Sequence, residues 1–291
     1  MNETTTQPIG LVLEGGAMRG MFSAGVLDVL IEQGIQLDTV VGVSAGAAFG
    51  CNYKSQQAGR VLRYNSLMAH NWRYCSVWSW ILTGDLFGAE FAYHHVPTKI
   101  DIFDADTFRN HPSKFYLVCT DVDTGKAVYH RIDEFNHNAL EWIRASASMP
   151  ICAKIVHLDG YKLLDGGVAD SIPLEFTQSL GLKRNIVVLT QPAGYQKQPN
   201  SVLPLMKFWL RKHPNMVNAI ANRHIMYNAQ LEFVRQEECQ GNAFVIRPPF
   251  ALPIGHICHD PRTMKRVYEI GRSIATENLP QILEFINTTQ I

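Results

Sequence analysis

One serine stands in a setting that fits a nucleophile. The pentapeptide GVSAG at 42–46 places Ser44 between a β-branched run, Thr39–Val43, and a run of small residues. This is the GxSxG pattern in the order of strand, sharp turn and helix that a nucleophile elbow requires. Gly42 and Gly46 suit that turn because a larger side chain at either position would press into the flanking strand or helix. The pattern therefore predicts that Ser44 projects from the sheet edge toward solvent or a substrate.

A glycine-rich turn lies one strand earlier. The apolar run Ile9–Leu13 ends in Glu14, and a helical pattern then begins after Gly15, Gly16, Ala17, Met18, Arg19 and Gly20. Such a turn either cradles a phosphate or presents backbone N–H groups to the oxyanion of an acyl transfer. A dinucleotide site prefers GxGxxG with an acidic residue further on, and Asp38 has that position, but Ala17 replaces the middle glycine. The oxyanion interpretation is favoured because it uses this turn and the serine elbow together.

Arg19 is a cation in the first turn of a helix, where it opposes the helix dipole. Two interpretations account for it. It binds an anionic group of the substrate such as a phosphate, or it forms a structural salt bridge with Glu14 or Asp165.

Asp165 follows two predicted hairpins in the middle of the chain. Phe115–Thr120 pairs with Lys126–Ile132 in the first, and Lys154–Leu158 pairs with Tyr161–Leu164 in the second. The second hairpin brings Asp165 to the end of a strand, and the two glycines that follow let other backbone or a ligand come close.

Three elements thus occur in order: the glycine-rich turn with Arg19, the Ser44 elbow and the tripeptide Asp165, Gly166, Gly167. Together they resemble the patatin-like phospholipase family, in particular a bacterial member, over roughly residues 9–190. There are two departures from the family pattern. Glu14 stands where the family usually has aspartate, and Ala17 where it usually has glycine. A left-handed backbone at Ala17 would cost about 1 kcal/mol of strain.

The resemblance implies a dyad in which Ser44 is the nucleophile and Asp165 is its base. It also implies an oxyanion hole formed by backbone groups of Gly15, Gly16, Ala17 and Met18. A chain with these roles is expected to be a serine hydrolase. It would be a lipid acyl hydrolase, like a phospholipase A or esterase, that cleaves carboxylic esters of lipids through an acyl-enzyme without a metal or an organic cofactor. The alternatives are an acyltransferase or thioesterase with the same nucleophile, and a non-catalytic lipid-binding protein that retains the fold.

The resemblance further implies an α/β fold, a three-layer α/β/α sandwich with a mostly parallel central sheet and a helical C-terminal extension. We expect a flexible tail at 1–8, a catalytic domain at 9–190 and a mainly helical part at 191–291 packed on the same domain. Helical periodicity over Ser201–Arg211, Asn215–Gln236 and Arg262–Ile286 supports the last of these.

Two stretches suggest contact with lipid. Seven aromatic residues crowd residues 71–97, where they wall an acyl-chain pocket, dock on a bilayer interface or pack as ordinary core. Lys207, Arg211, Lys212 and His213 lie beside two aromatic residues and either meet anionic lipid heads or form a solvated helix face. Peripheral contact with the inner face of a membrane is therefore an expectation.

Composition narrows the remaining choices. A net charge of zero argues against a nucleic-acid partner. The six cysteines form no CxxC pair and the N-terminus has no signal-peptide pattern, so we expect reduced thiols and a cytoplasmic location. The group His256, Cys258, His259 and Asp260 matches no standard zinc spacing, and we expect no metal. A conventional triad would instead take its base from a late histidine: His213, His224, His256 or His259.

Overall fold

The computed structural model describes residues 7–288, so residues 1–6 of the predicted tail lie outside the described part. Within it, eight strands form one sheet. Their bounds are β1 Ile9–Leu13, β2 Thr39–Val43, β3 Lys114–Asp121, β4 Ala127–Ile132, β5 Val156–Leu158, β6 Tyr161–Asp165, β7 Arg184–Val188 and β8 Ala243–Ile246. The strand order is β5-β6-β3-β2-β1-β7-β8, and β4 pairs with β3.

The sheet is mostly parallel, as expected. Strands β3, β2, β1, β7 and β8 run in one direction. Strands β4 and β6 are antiparallel to β3, and β5 is antiparallel to β6, so both predicted hairpins are present. β8, a run of only four residues, was not predicted.

The helices of the described part have the following bounds: α1 Gly20–Glu32, α2 Ala45–Lys54, α3 Arg60–Met68, α4 Val77–Thr83, α5 Ala105–Asn110, α6 His137–Ser146, α7 Leu174–Ser179, α8 Leu203–Trp209, α9 Pro214–Cys239, α10 Pro261–Glu277 and α11 Leu279–Asn287. Two 3-10 turns, Ala17–Arg19 and Gly166–Val168, and a π-helix, Ala89–Ile100, complete them. The single helix predicted over Arg262–Ile286 is wrong, since α10 and α11 are separated at Asn278. Pro280 accounts for the break because it lacks the N–H that would continue α10.

Successive residues of β1 pack into opposite layers. Leu11 and Leu13 join a core that contains Phe22 of α1, whereas Val12 joins one that contains Tyr227 and Val234 of α9. Both faces of the sheet are therefore covered by helices, and the fold is the three-layer α/β/α sandwich that was expected.

The helical C-terminal extension is tied to the first helix. Tyr268 on α10 donates a hydrogen bond to the carboxylate of Asp28 on α1 at 2.6 Å. One turn further on, Arg272 forms a salt bridge with Glu32 at 2.7 Å. These contacts hold α10 along α1 on the outer face of one helical layer.

Candidate active site

Ser44 lies on a tight turn between β2 and α2. Its φ of 55° and ψ of −119° belong to a region that residues other than glycine rarely adopt. Glycines permit the turn, because a Cβ on Gly42 would lie 2.4 Å from the carbonyl oxygen of Gly46, and one on Gly46 would lie 2.4 Å from that of Leu13. The turn is at the carboxyl end of β2, the edge at which parallel sheets bind ligands.

The register of β3 brings Asp165 to Ser44. Val118 pairs with Val43 at the end of β2, and the next residue, Cys119, pairs with Asp165 at the end of β6. The Ser44 hydroxyl donates to Oδ2 of Asp165 at 2.6 Å. Ser44 is 7% exposed and Asp165 is 5% exposed, so this hydrogen bond is largely shielded from water.

Both carboxylate oxygens of Asp165 are held. Oδ2 accepts from Ser44, and Oδ1 accepts from the N–H of Gly167 at 2.8 Å. Burial raises the pKa of Asp165, whereas the Ser44 hydroxyl, the charge of Arg223 and the Gly167 N–H act to lower it. The net increase in pKa makes the ionised carboxylate a stronger base toward a serine hydroxyl.

Ser146, the last residue of α6, supports the elbow. Its hydroxyl donates to the carbonyl oxygen of Val118 at 2.6 Å and accepts from the N–H of Ser44 at 3.0 Å. The Ser44 N–H is thus satisfied within the protein. In the sequence Ser146 is one of several small residues, and only the fold reveals its contact with the elbow.

The glycine-rich turn lies against the nucleophile. A Cβ on Gly15 would come within 3.1 Å of the Cβ of Ser44. Ala17 has a φ of 49°, which is a left-handed backbone conformation. It therefore carries the backbone strain that the sequence analysis expected for an alanine in this conformation. Within the described residues, the N–H groups of Gly15, Gly16 and Ala17 have no hydrogen-bond acceptor. Unpaired backbone donors beside a nucleophile are the components of an oxyanion hole.

Glu14 ties the turn to the C-terminal part of the chain. It accepts hydrogen bonds from the N–H of Thr190 and, at 2.6 Å, from the hydroxyl of Tyr227. Burial raises the pKa of Glu14, and the bonds from Thr190 and Tyr227 together with the charge of Arg19 oppose that increase.

Arg19 forms neither of the salt bridges that were considered. Its Nη1 lies 3.2 Å from Nε2 of His256, and its Nε is buried without a partner among the described residues. Lost solvation and the charges of neighbouring cations lower the pKa of His256 to about 4, so the neutral ring accepts from Arg19. The N–H of Met18 donates to the carbonyl oxygen of His256 at 3.4 Å, and Met18 therefore differs from the three free donors before it.

An apolar cavity opens beside Ser44. The space between its lining residues is about 840 Å³ when the open solvent in front of them is counted. The lining side chains are mostly aromatic or aliphatic and include Ala45, Phe49, Tyr64, Tyr74, Phe87, Tyr93, Val96, Leu140, Ile143 and Met149. Burial raises the pKa of each of the three tyrosines, which stay protonated. The cavity suits an apolar chain whose carbonyl group reaches Ser44.

The aromatic segment at 71–97 divides between the cavity and the surface. Tyr74, Phe87 and Tyr93 line the cavity, whereas Trp72 is 51% exposed and Trp78 on α4 is 66% exposed. A helix able to cross a bilayer, both long and apolar enough, is absent from residues 7–288.

The family model described as patatin-like phospholipase matches residues 11–177, which is more than half of the chain. The chain belongs to the patatin-like phospholipase family. A second model, described as domain of unknown function DUF6363, matches residues 213–287.

Curated relatives and solved structures extend this comparison. Lysophospholipase NTE1 of Kluyveromyces lactis is 26% identical over 294 residues, a match that covers 96% of this chain and 20% of the relative. Uncharacterized protein YjjU of Escherichia coli is 27% identical over 278 residues, and the match covers 91% of this chain and 75% of the relative. The crystal structure of VipD from Legionella pneumophila matches 95% of this chain and 67% of its own, with 10% identity and a TM-score of 0.44. The chain thus spans about a fifth of the length of the yeast lysophospholipase.

In this patatin-like chain the region that matches DUF6363 also reaches the site. Arg223 on α9 donates from Nε to the carbonyl oxygen of Gly167, Tyr227 binds Glu14, and His256 contacts Arg19. The sequence did not identify Arg223 or Tyr227, because a residue in the middle of a long helix carries no local motif.

None of the four late histidines hydrogen-bonds to Ser44 or Asp165. Nδ1 of His213 lies 3.5 Å from a carboxylate, and Nδ1 of His259 lies 2.8 Å from a backbone carbonyl. Across residues 7–288, His, Cys, Asp and Glu side chains form no group of three or more that could hold a metal ion. The six cysteines are free thiols.

Proposed function

We propose that this chain is a lipid acyl hydrolase that cleaves carboxylic esters through Ser44, Asp165 and an acyl-enzyme. The 2.6 Å hydrogen bond between the two side chains, beside an apolar cavity that Ser44 lines, carries the proposal. A nucleophile in contact with its base, beside a space for an acyl chain, is what acyl transfer from a lipid needs. Membership of a phospholipase family and the similarity to a lysophospholipase support a lipid ester as substrate.

The first half-reaction begins when the Ser44 oxygen attacks the ester carbonyl carbon and its proton moves to Asp165. The carbon–oxygen π electrons move to the carbonyl oxygen, and the free N–H groups of Gly15, Gly16 and Ala17 stabilise that oxyanion. Collapse of the intermediate breaks the bond to the alcohol, which leaves with the proton from Asp165. Ser44 then carries the acyl group.

The second half-reaction repeats these steps with water. Asp165 accepts a proton from the water that attacks the acyl-enzyme, and the fatty acid leaves as Ser44 regains its proton. A carboxylate is a weaker base than an imidazole, so the prearranged donors must supply more of the rate. Because the pKa of Asp165 is raised, its carboxylate is closer in basicity to an imidazole than an ordinary carboxylate is. Besides the ester and water, the scheme uses only groups of the protein.

The same proposal includes peripheral contact with a membrane from its cytoplasmic side. On α4, Trp78, Ile81 and Leu82 are 66%, 61% and 67% exposed. A tryptophan beside aliphatic side chains favours the interface of a bilayer. The segment that carries α4 also contributes Tyr74 and Phe87 to the cavity, so contact with lipid and entry of an acyl chain involve one stretch of the chain.

Release of free fatty acid from a panel of lysophospholipids, diacyl phospholipids and neutral acyl esters tests the proposal. Hydrolysis together with fluorophosphonate labelling of Ser44, both lost in Ser44→Ala, is the expected result. An acyl-enzyme that passes its acyl group to an added alcohol or thiol faster than to water would favour an acyltransferase. If Ser44 is not labelled and no lipid is hydrolysed, the result would favour a non-catalytic lipid-binding protein.

A further inference from the structure

Helix α8 is apolar on its inner and on its outer side. Three residues of the inner side pack on the core group shared by β6 and α9: Leu203, Met206 and Leu210. The outer side consists of Leu205, Phe208 and Trp209, each of which is at least half exposed. A helix that is apolar all round normally has both sides covered. Packing within the chain therefore leaves the outer side of α8 unexplained.

The loop at 151–155 contacts both α8 and α4. Ile151 and Lys154 line one surface depression together with Phe208 and Trp209 of α8. On the α4 side, the carbonyl oxygen of Ile151 accepts a hydrogen bond from the indole N–H of Trp80 at 2.9 Å. Helices α4 and α8 thus border the same loop. We call the exposed side chains of residues 71–84, 149–157 and 201–213 the docking face.

The docking face holds a large share of the apolar groups that the fold leaves in solvent. Eighteen large apolar side chains are exposed in the described part, and nine of them belong to residues 72–82 and 202–209. These two stretches make up less than a tenth of the 291 residues. Single exposed apolar residues are normal, whereas a concentration of them marks an interaction surface.

The docking face is cationic, although the chain as a whole has 26 basic and 26 acidic residues. Its three ranges contain neither Asp nor Glu but five cations, all exposed: Arg73, Lys154, Lys207, Arg211 and Lys212. The carboxylates at its border are engaged. Asp85 accepts from the N–H of Lys154, and Asp123 forms a salt bridge with Lys162 at 3.0 Å. The five cations therefore give this face a net positive charge.

Aromatic and aliphatic side chains flanked by cations suit the surface of an anionic bilayer, where rings enter the interface and cations meet the head groups. A second copy of the chain is a poorer partner, because a two-fold interface would place the same cations opposite one another. The loop also leads to the acyl cavity, since Ala147 and Met149 line that cavity and precede Ile151 by only a few residues. A bilayer on the docking face would thus lie next to the space for the acyl chain.

We propose that α8 and the loop at 151–155 dock, together with α4, on a bilayer that contains anionic lipid. This inference rests on the proposed function, because it extends the membrane contact of α4 to a second helix and names the charge of the surface that is bound. It concerns the membrane surface and not the ester that is cleaved. Two helices on one membrane would also fix the orientation of the enzyme, with the loop toward the lipid.

Co-sedimentation of the Ser44→Ala protein with vesicles tests the inference without turnover. One set of vesicles is phosphatidylcholine alone, and the other contains phosphatidylglycerol as well. The apparent Kd should be at least tenfold lower for the anionic vesicles, and high salt should reduce this preference. Lys207→Gln, Arg211→Gln and Lys212→Gln together should weaken binding to the anionic vesicles about a hundredfold, or about fivefold for each charge, and leave binding to phosphatidylcholine unchanged.

The matched control removes three exposed cations from another helix. Arg262→Gln, Lys265→Gln and Arg266→Gln on α10 change the net charge equally and should keep the preference for anionic vesicles. Phe208→Ser with Trp209→Ser removes the apolar part of α8 instead. It should weaken binding to both kinds of vesicle about tenfold or more, because the buried rings contribute irrespective of lipid charge.

Equal binding to the two kinds of vesicle, or an equal loss in the α10 control, would overturn the inference. A wild type that dimerises without vesicles and is monomeric in Phe208→Ser with Trp209→Ser would show an interface between copies and refute the bilayer. If replacing Trp78 and Ile81 weakens binding but the α8 variants do not, contact through α4 stands and this inference fails. If the wild type hydrolyses no ester, the hydrolase proposal fails, whereas the vesicle measurements still decide the docking face.

Discussion

Asp165→Asn separates the role of the carboxylate in catalysis from its effect on stability. The amide has nearly the same shape, so Oδ1 of the new side chain can keep the bond from the Gly167 N–H. The group facing the Ser44 oxygen, now 2.6 Å from Oδ2, becomes an amide nitrogen, which donates rather than accepts. Ser44 therefore loses the acceptor for its proton while its position is preserved.

The expected loss of activity follows from that exchange. A positioned general base contributes about a hundredfold to ten-thousandfold in rate, or about 2.7 to 5.4 kcal/mol in the barrier. The free N–H groups of the turn are unchanged, so residual hydrolysis above the uncatalysed rate should remain. We expect kcat for a lipid ester to decrease by a factor in this range, with a smaller effect on KM.

Although Asp165→Asn should lose activity, it should not lose stability at neutral pH. The ordinary pKa of an aspartate is 3.8, and burial raises the pKa of Asp165 above that value in the folded protein. As the pH rises from the unfolded pKa to the folded pKa, the unfolded state releases its proton first, so the ionised carboxylate lowers stability at neutral pH. Asparagine has no such titration. Asp165→Asn should be at least as stable as the wild type at pH 7, and the advantage should vanish below about pH 3.8, the unfolded pKa.

Kinetics on a lipid ester and chemical denaturation at pH 7 and pH 3.5 measure both effects. Asp170→Asn is the matched control, because Asp170 is also buried with a raised pKa but bonds to Tyr129 and Gln230 instead of Ser44. It should keep its turnover. If Asp165→Asn hydrolyses the ester at the wild-type rate, the dyad is refuted and a histidine becomes the candidate base. If the variant is less stable than the wild type at pH 7, the buried charge of Asp165 does not destabilise the folded protein as inferred.

Three further predictions concern the parts around the dyad. Ser146→Ala leaves the buried Ser44 N–H without an acceptor and should lower the free energy of unfolding by about 1–3 kcal/mol and reduce kcat, and unchanged denaturation curves would contradict this role. Ala17→Gly relieves the strain at φ 49° and should raise the free energy of unfolding by up to about 1 kcal/mol with kcat retained, whereas a decrease would show that the conformation costs nothing. Replacing Trp78 and Ile81 together by serine should weaken vesicle binding about tenfold or more without slowing hydrolysis of a water-soluble ester, and Leu180→Ser, at the far edge of the sheet, is the control.

The parts of the site that the sequence predicted are those set by local rules. The elbow and the glycine-rich turn each occupy a few consecutive residues, and glycine is required where a Cβ would collide with neighbouring backbone. Asp165 was singled out through the family resemblance, in which an aspartate followed by glycine comes after the serine elbow. The mostly parallel sheet was implied by the family resemblance, and the structure has it.

The parts that were missed depend on contacts between distant segments. Ser146 lies 102 residues from Ser44, and Tyr227 lies 213 residues from Glu14. No spacing rule connects such positions. The free donors of the turn were overestimated for the same reason, since the carbonyl group that binds the Met18 N–H belongs to His256.

The C-terminal part has a structural reason to be present. Glutamate at position 14 is one methylene longer than the family's usual aspartate, and its buried carboxylate meets both the Thr190 N–H and the Tyr227 hydroxyl. Without α9 that carboxylate would lose a hydrogen bond inside the protein, directly before the donors of the turn, and a buried charge that lacks a partner is costly. Arg223 acts in the same way on the other side of the dyad, because it binds the carbonyl oxygen of the residue whose N–H holds Asp165. Helix α9 thus braces both the glycine-rich turn and the aspartate loop, and we propose that residues 191–291 and the catalytic part form one domain.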